Sequence, residues 1–182
     1  FRQDQAADGV YYLEDGLVKL HVASSQDKHA VIGLLGPDTF FGEGCLAGQP
    51  LRNATATALL DTRLVHLRTA AMHNLLQSNS SFARQFVAHL VRRAARVEED
   101  LIDRLFNSTE KRLARALLLL ASLDGESQSV LARINQQTLA EIVGTTRPRV
   151  SHFIGKFKKR GFVSARRPLR VYSSLVEIML EE

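Results

Sequence analysis

The chain has one cysteine, Cys45, in 182 residues, so no internal disulfide can staple it. A lone thiol fits a reducing, cytoplasmic compartment and falls short of the roughly four cysteine ligands that an iron–sulfur cluster needs. No apolar run approaches the roughly 20 residues that span a bilayer, and no signal-peptide pattern is present. The six histidines, His21, His29, His66, His73, His89 and His152, are scattered, with no HxH or HxxxH pair to seed a metal site. No Ser-His-Asp constellation or glycine-rich nucleotide-hydrolysis motif is visible either. An enzyme is therefore not expected, and a metal-dependent β-barrel enzyme is the remote alternative. One further absence is local. Between Arg147 and Arg170 stand nine basic residues, Arg147, Arg149, Lys156, Lys158, Lys159, Arg160, Arg166, Arg167 and Arg170, and no acid.

Charge is unevenly spread. The net charge is +5, but from Lys111 onward there are 13 basic and 6 acidic residues, against 11 and 13 before it. A near-neutral first part and a basic second part suggest two domains with different work, the second binding a polyanion. The segment 135–172 carries the pattern for that. Asn135 is a good helix N-cap, Leu139, Ala140 and Val143 recur at helical spacing, and Gly144 is placed to end the helix. Thr146 can cap a second helix with Pro148 in its first turn, where the missing N–H matters little. Val150, Phe153, Ile154 and Phe157 form its apolar stripe. Arg147, Arg149, Ser151, His152, Lys156 and Lys159 face outward. This predicts a helix-turn-helix whose second helix enters a DNA major groove, with Arg147 and Arg149 as guanine readers and the lysines and Arg160 on phosphates. Gly161 should end that helix, and 162–165 with 169–172 should form a hairpin wing over Arg166 and Arg167, which grip the DNA backbone. The last stretch, 173–182, predicts a short amphipathic helix of Leu175, Ile178 and Met179.

Residues 10–67 predict short strands and turns, hence a sandwich or barrel. Asp15-Gly16 reads as a hairpin turn, and 55–60 with 63–67 as a further pair around Asp61-Thr62. The stretch from Phe40 to Thr55 departs from this pattern, with Gly42, Gly44 and Gly48, one carboxylate at Glu43 and an arginine at Arg52. Glycines let backbone N–H groups close around an anion, arginine suits bidentate pairing with phosphate, and a glutamate can accept from a sugar hydroxyl. From the residues alone, a glycine-rich turn with a surface Glu–Arg pair explains the stretch equally well. Chain start at Phe1 falls inside a strand pattern, so a native segment is expected upstream.

The segment 72–106 reads as mostly helical, with caps offered within 78–81. Ala83, Val87, Leu90, Ala94, Val97 and Leu101 are spaced 4, 3, 4, 3, 4, the seam of a helix pairing with a second copy; packing within one subunit is the alternative. Phe82, Phe86 and Leu105 lie beside the seam and are expected against the barrel. Arg92, Arg93, Arg96 and the acids after them read as a solvated face. Ser108 and its neighbours cap the next helix, whose core stripe is Leu113, Ala116, Leu117 and Leu120, and 130–134 reads as a short strand.

Gly42-Glu43 followed by Arg52-Asn53-Ala54-Thr55-Ala56, then a long helix and a helix-turn-helix, resembles the cyclic AMP receptor protein/FNR superfamily of bacterial transcription regulators over essentially the whole chain. The resemblance implies an α+β fold: an N-terminal antiparallel β jelly-roll of cyclic-nucleotide-binding type (1–77), a long dimerisation helix (78–106) and a C-terminal winged helix-turn-helix domain (107–182). It implies a homodimer on double-stranded DNA, with RNA polymerase as a further partner. It also implies a cyclic nucleotide held near Gly42, Glu43, Gly44, Cys45, Arg52 and Asn53, with Arg52 on the phosphate and Glu43 on the ribose. Three departures stand out. Asn53 replaces a frequent serine. The purine contacts fall on Val97 and Glu98, neither of them a small hydroxyl residue. Pro148 and His152 stand where many relatives carry an acid and an arginine. A different effector, a nucleotide-dead barrel and a changed operator are therefore open, as is a sensor acting through protein partners, which the basic domain argues against.

Overall fold

The computed structural model describes residues 1–23, 29–124, 129–164 and 169–181. It divides into two compact units, Phe1–Asp100 and Leu101–Glu182.

In the first unit β1 (Gly9–Asp15), β2 (Val18–Ala23), β3 (His29–Leu35), β4 (Thr39–Phe41), β5 (Thr55–Ala58) and β6 (Arg63–Arg68) form two three-stranded antiparallel sheets, ordered β4-β1-β6 and β3-β2-β5. Among the described residues the two sheets do not close into one hydrogen-bonded barrel. β1 shows why its sequence is apolar without alternation. Leu13 joins Val18, Leu20, Leu35 and Phe41 in a core fed by both sheets. Val10, on the opposite face, packs with Cys45, Met72 and Phe86. Met72 comes from α1 (Thr69–Ser78) and Phe86 from α2 (Ser80–Phe106). A strand covered on both faces reads as a continuous hydrophobic run.

Two turn expectations fail for one reason. β1 and β2 are not partners, and neither are β5 and β6. Each connection carries the chain from one sheet to the other, and the two lie together: Leu59 N–H donates to the Leu17 carbonyl at 2.8 Å. Gly16 has φ +99°, and a Cβ there would sit 2.7 Å from the Asp61 carbonyl oxygen. The Asp-Gly signal thus marks a glycine-requiring crossing, not a hairpin; turn residues report local φ, not the partner strand.

The boundary between the units falls within α2. Asn79 caps this helix, its Oδ1 accepting from the Phe82 N–H at 2.9 Å. Phe82 and Phe86 pack on the first unit as expected, but Leu105 is exposed: it lies five turns beyond Phe86, past the last helix residue in that core.

The second unit comprises α3 (Thr109–Asp124), α4 (Ser129–Arg133), α5 (Gln136–Val143), α6 (Arg147–Lys159), a 3₁₀ turn (Ser173–Val176) and α7 (Glu177–Leu180). Its core is Leu113, Leu117 and Leu120 of α3, Leu139 and Val143 of α5, Val150, Ile154 and Phe157 of α6, and Leu175 and Ile178 near the C-terminus. The strand expected at 130–134 is instead the helical turn α4. Leu131 and Ile134 are buried while Ala132 and Arg133 are exposed, a spacing of three that five residues cannot distinguish from alternation. A single antiparallel bridge, Val163↔Val171, forms the base of the wing; Arg166 and Arg167 lie outside the described residues. Among the described residues no helix is long and apolar enough to cross a membrane.

Leu117 is fully buried and Leu119 is 46% exposed on the same helix. Leu117→Ala is expected to lower unfolding free energy by about 2–5 kcal/mol, and Leu119→Ala by under about 1 kcal/mol. Urea denaturation followed by circular dichroism measures both.

Candidate effector site and nucleic-acid interface

β4 delivers the chain to Gly42, whose φ of +77° turns it into the 3₁₀ helix Glu43–Ala47, and Gly48, at φ +80°, closes that helix. A side chain at Gly42 is doubly forbidden, since a Cβ would also lie 2.5 Å from Arg52 Nη1. The returning segment is tied to the N-terminal residues: Ala7 N–H donates to the Pro50 carbonyl and Arg52 N–H to the Gln5 carbonyl, at 2.9 and 2.8 Å.

This frame places Arg52 inside, at 4% exposure. Its Nη1 donates to the Gly42 carbonyl at 2.8 Å and its Nη2 to Asp8 Oδ1 at 2.9 Å. The guanidinium lies 4.5 Å from the centre of the Phe1 ring and 5.3 Å from that of Tyr11. Nε is buried without a partner. Glu43 is not paired with Arg52. Its Oε1 accepts from Arg93 Nη1 on α2, and its Oε2 is buried and unpartnered. A cavity of about 630 Å³ is lined by all six expected cassette residues, Gly42, Glu43, Gly44, Cys45, Arg52 and Asn53, with Gln49, Ile32 and, from α2, Ala83, Phe86, Val87, Leu90 and Arg93. Val97 and Glu98 do not line it; both are exposed beyond Arg93.

Sequence reasoning missed Asp8, Gln49 and Arg93. Asp8 gave no signal beyond an acid before a strand. Gln49 binds Asn53, its Oε1 accepting from Nδ2 at 3.0 Å. Arg93, assigned to a solvated face, is the correction: a cation on a helix looks solvated until the element carrying its acid is known. Asp8 also faces His66 at 3.5 Å. Desolvation, which would raise its carboxyl, is outweighed by a backbone hydrogen bond, the Arg52 bond and the nearby charges of His66 and Arg52, so its pKa lies below the ordinary carboxylate value.

On α2, Ala83 and Leu90 of the expected seam are half-buried, Leu90 packing on the first unit. Val87, Ala94, Val97 and Leu101 are exposed, with Val91, Ile102 and Phe106.

In the second unit the helix-turn-helix forms as its caps demand. Asn135 Oδ1 accepts from the Thr138 N–H at 2.9 Å, and Gly144 closes α5 at φ +72°. Thr146 occupies the N-cap position of α6 without a side-chain capping bond. Thr146, Arg147, Arg149, Ser151, His152, Lys156 and Lys159 are all exposed. The basic face is less bare than its own sequence suggests, because the fold brings acids from outside it. Lys156 Nζ donates to Glu110 Oε2 of α3 at 2.9 Å, and Arg160 pairs with Glu181. Among the described residues no acid pairs with Arg147, Arg149, Lys158 or Lys159. No group of three or more His, Cys, Asp or Glu among the described residues is placed to hold a metal ion.

Residues 1–79 match the family model of the cyclic nucleotide-binding domain, and residues 111–173 that of the Crp-like helix-turn-helix domain. The chain is 31% identical over 159 residues to the transcriptional regulator SdrP of Thermus thermophilus, spanning 86% of this chain and 75% of that one. This chain belongs to the cyclic AMP receptor protein/FNR family. A CRP-like cAMP-activated global transcriptional regulator of Mycobacterium tuberculosis is 25% identical over 167 residues, 90% of this chain and 75% of its own. A crystal structure of a CRP-family transcriptional regulator from Thermus thermophilus superposes with a TM-score of 0.82 at 19% identity, covering 100% of this chain and 96% of that one, and so shares the fold. As a CRP/FNR-family member the chain is a transcription regulator, not an enzyme.

Asp8→Ala is expected to lower the thermal midpoint at pH 7. A carboxyl with a depressed folded pKa contributes stability that is present above its unfolded value, about 3.9, and lost as pH falls through the folded value. The gap between wild type and variant should therefore close in acid, as thermal melts from pH 7 to pH 3 would show.

Proposed function

We propose that this regulator is a homodimer that binds a roughly palindromic DNA site and is controlled by a small effector in the N-terminal cavity. The observation that carries the effector reading is a pair of buried, unpartnered atoms on residues lining one cavity, Arg52 Nε and Glu43 Oε2. Leaving either without a hydrogen bond costs roughly 1–3 kcal/mol. One is a donor on a cation and the other an acceptor. A ligand with an anionic oxygen and an adjacent hydroxyl satisfies both, which is the pairing of a cyclic phosphate and a ribose. Glycine-framed backbone and the Asn53 side chain complete the anion end.

In this reading residues 1–77 hold the effector, 78–106 dimerise and 107–182 bind DNA. The exposed apolar residues Val87, Val91, Ala94, Val97 and Leu101 of α2 form the dimer seam, and Val97 and Glu98 reach an effector only through that pairing. The two α6 helices enter successive major grooves about one DNA turn apart. Arg147 and Arg149, exposed and without acid partners among the described residues, read guanine. Ser151 and His152 contact bases or phosphates beside them, Thr146 sits at the anion-friendly helix N-terminus, and Lys156, Lys159, Arg166 and Arg167 serve the backbone. RNA polymerase is the downstream partner. Effector binding shifts the population between two dimer geometries, which requires that one geometry bind it better.

One observation favours a second reading, a barrel that binds no nucleotide: both terminal nitrogens of Arg52 already serve Gly42 and Asp8.

Calorimetric titration with cyclic AMP, cyclic GMP and cyclic di-GMP separates the two. Binding of one nucleotide that vanishes in Arg52→Ala is the expected result, and no binding of any would favour the second reading. On DNA, Arg147→Ala should weaken binding by about 1–3 kcal/mol and relax preference at one base position. Uniform weakening over scrambled sites, seen in a mobility-shift series, would make Arg147 a phosphate contact.

A further inference from the structure

His89 lies on α2 between the cavity-lining residues Phe86 and Leu90. Its Nε2 is 3.3 Å from both the backbone N and the carbonyl O of Phe40. Phe40 belongs to β4, an edge strand of its sheet with β1 on one side only among the described residues, and its N–H and C=O meet the helix instead. The contact is built: the Phe40 ring meets the rings of Phe82, Phe86 and His89 edge-on, with centroids 5.2–6.0 Å apart. One turn along the helix, Arg93 donates to the same Phe40 carbonyl at 3.5 Å and to Glu43. Three residues of chain separate Phe40 from Gly44, so whatever fixes β4 fixes the start of the cassette.

A single imidazole nitrogen can accept from the Phe40 N–H only while it carries no proton. A protonated ring can only donate, toward a carbonyl that already receives Arg93, and the Phe40 N–H is then left without an acceptor. The charged groups around the ring are Arg92 and Arg93 on its own helix and Glu43 from the 3₁₀ helix; β4 brings none. We infer that His89 is a positioning residue whose neutral imidazole fastens β4 to α2, and whose protonation releases that strand and the cassette it leads into. Mild acid is thereby made a second input to the effector cavity. The part concerning the effector rests on the function proposed above; the fastening does not.

The electrostatics agree with the geometry. Desolvation lowers the His89 pKa, opposed by the bond a protonated ring would donate to the Phe40 carbonyl; Arg93 lowers it further, Glu43 opposes and Arg92 adds to the lowering, for a net value below the ordinary 6.5. The native state therefore resists the proton. Its contribution to stability is full above about pH 6.5 and is lost as pH falls through the folded value.

The test uses the full chain and needs no effector. Thermal midpoints are measured from pH 8 to pH 5 for wild type, His89→Gln, which keeps a non-titrating acceptor, and His89→Phe, which keeps only the ring. Wild type is expected to lose stability below pH 6.5, His89→Gln to lose less, and His89→Phe to start low at neutral pH and to show an acid loss no larger than that of His89→Gln. The wild-type imidazole is followed by NMR, assigned through the backbone, and is expected to titrate below 6.5. This measurement stands even where a variant does not fold. An acid loss in His89→Gln equal to that of wild type, or an imidazole titrating at or above 6.5, overturns the inference. Cyclic AMP titrations at pH 7.5 and 5.5 form a separate arm. Weaker binding at pH 5.5 in wild type alone is expected. Equal binding in wild type at both values overturns the link to the cavity, and absence of binding at both overturns the nucleotide reading while the melts and the NMR titration still decide the role of His89.

Discussion

A guanidinium removed from water must be answered by acceptors, and the first unit is arranged around doing so for Arg52. The Gly42 carbonyl and the Asp8 carboxylate come from segments far apart in sequence, and the guanidinium lies over the rings of Phe1 and Tyr11. A guanidinium left buried without acceptors is costly, and the Arg52 side chain is 3% exposed against 64% for Asp8, so one side chain ties together the N-terminal segment, the Gly42 turn and β1. The same arrangement keeps Nε unpaired. In this unit the buried atoms left without a partner, Arg52 Nε and Glu43 Oε2, both belong to residues that line the cavity.

The second unit solves a different problem. Its recognition helix must bury one face and leave the opposite face cationic. Val150, Ile154 and Phe157 do the first with α3 and α5. On the other face, Lys156 and Arg160 are tethered to Glu110 and Glu181, whereas Arg147 and Arg149 at the N-terminal end have no acid partner among the described residues. The charge available to a polyanion is thus concentrated toward one end of the helix, the end that also presents free backbone N–H groups.

Signals confined to a few neighbouring residues were legible in the sequence. Asn135, Gly144 and Pro148 act within one or two helical turns, and each stands where its cap or turn chemistry places it. The cassette residues were legible as a cluster in the same way, because Gly42, Glu43 and Arg52 fall within eleven consecutive residues. What escaped depends on contacts between distant segments. Asp15-Gly16 announces a turn but not which strand follows. Leu131 to Ile134 is too short for its period to be read. Arg93 looked solvated and Lys156 uncompensated because their acids, Glu43 and Glu110, lie about 50 residues away in each case. Asp8 was invisible for the same reason, lying 44 residues from Arg52.

The crossing turns at Gly16 and Thr62 bear on how the chain acquires its shape. Because β1 pairs with β4 and β6 rather than with β2, its hydrogen bonds join residues roughly 30 to 60 positions apart, and the loop entropy of each closure precedes its reward. The helical unit draws more of its packing from successive helices, although α3 also meets the C-terminal segment 173–180. Topology of this kind sets folding rates more than stability does. The β-rich unit is thus expected to be the slower to form and the longer exposed to misassociation of its strand edges, while the helical unit is assembled largely from more local contacts.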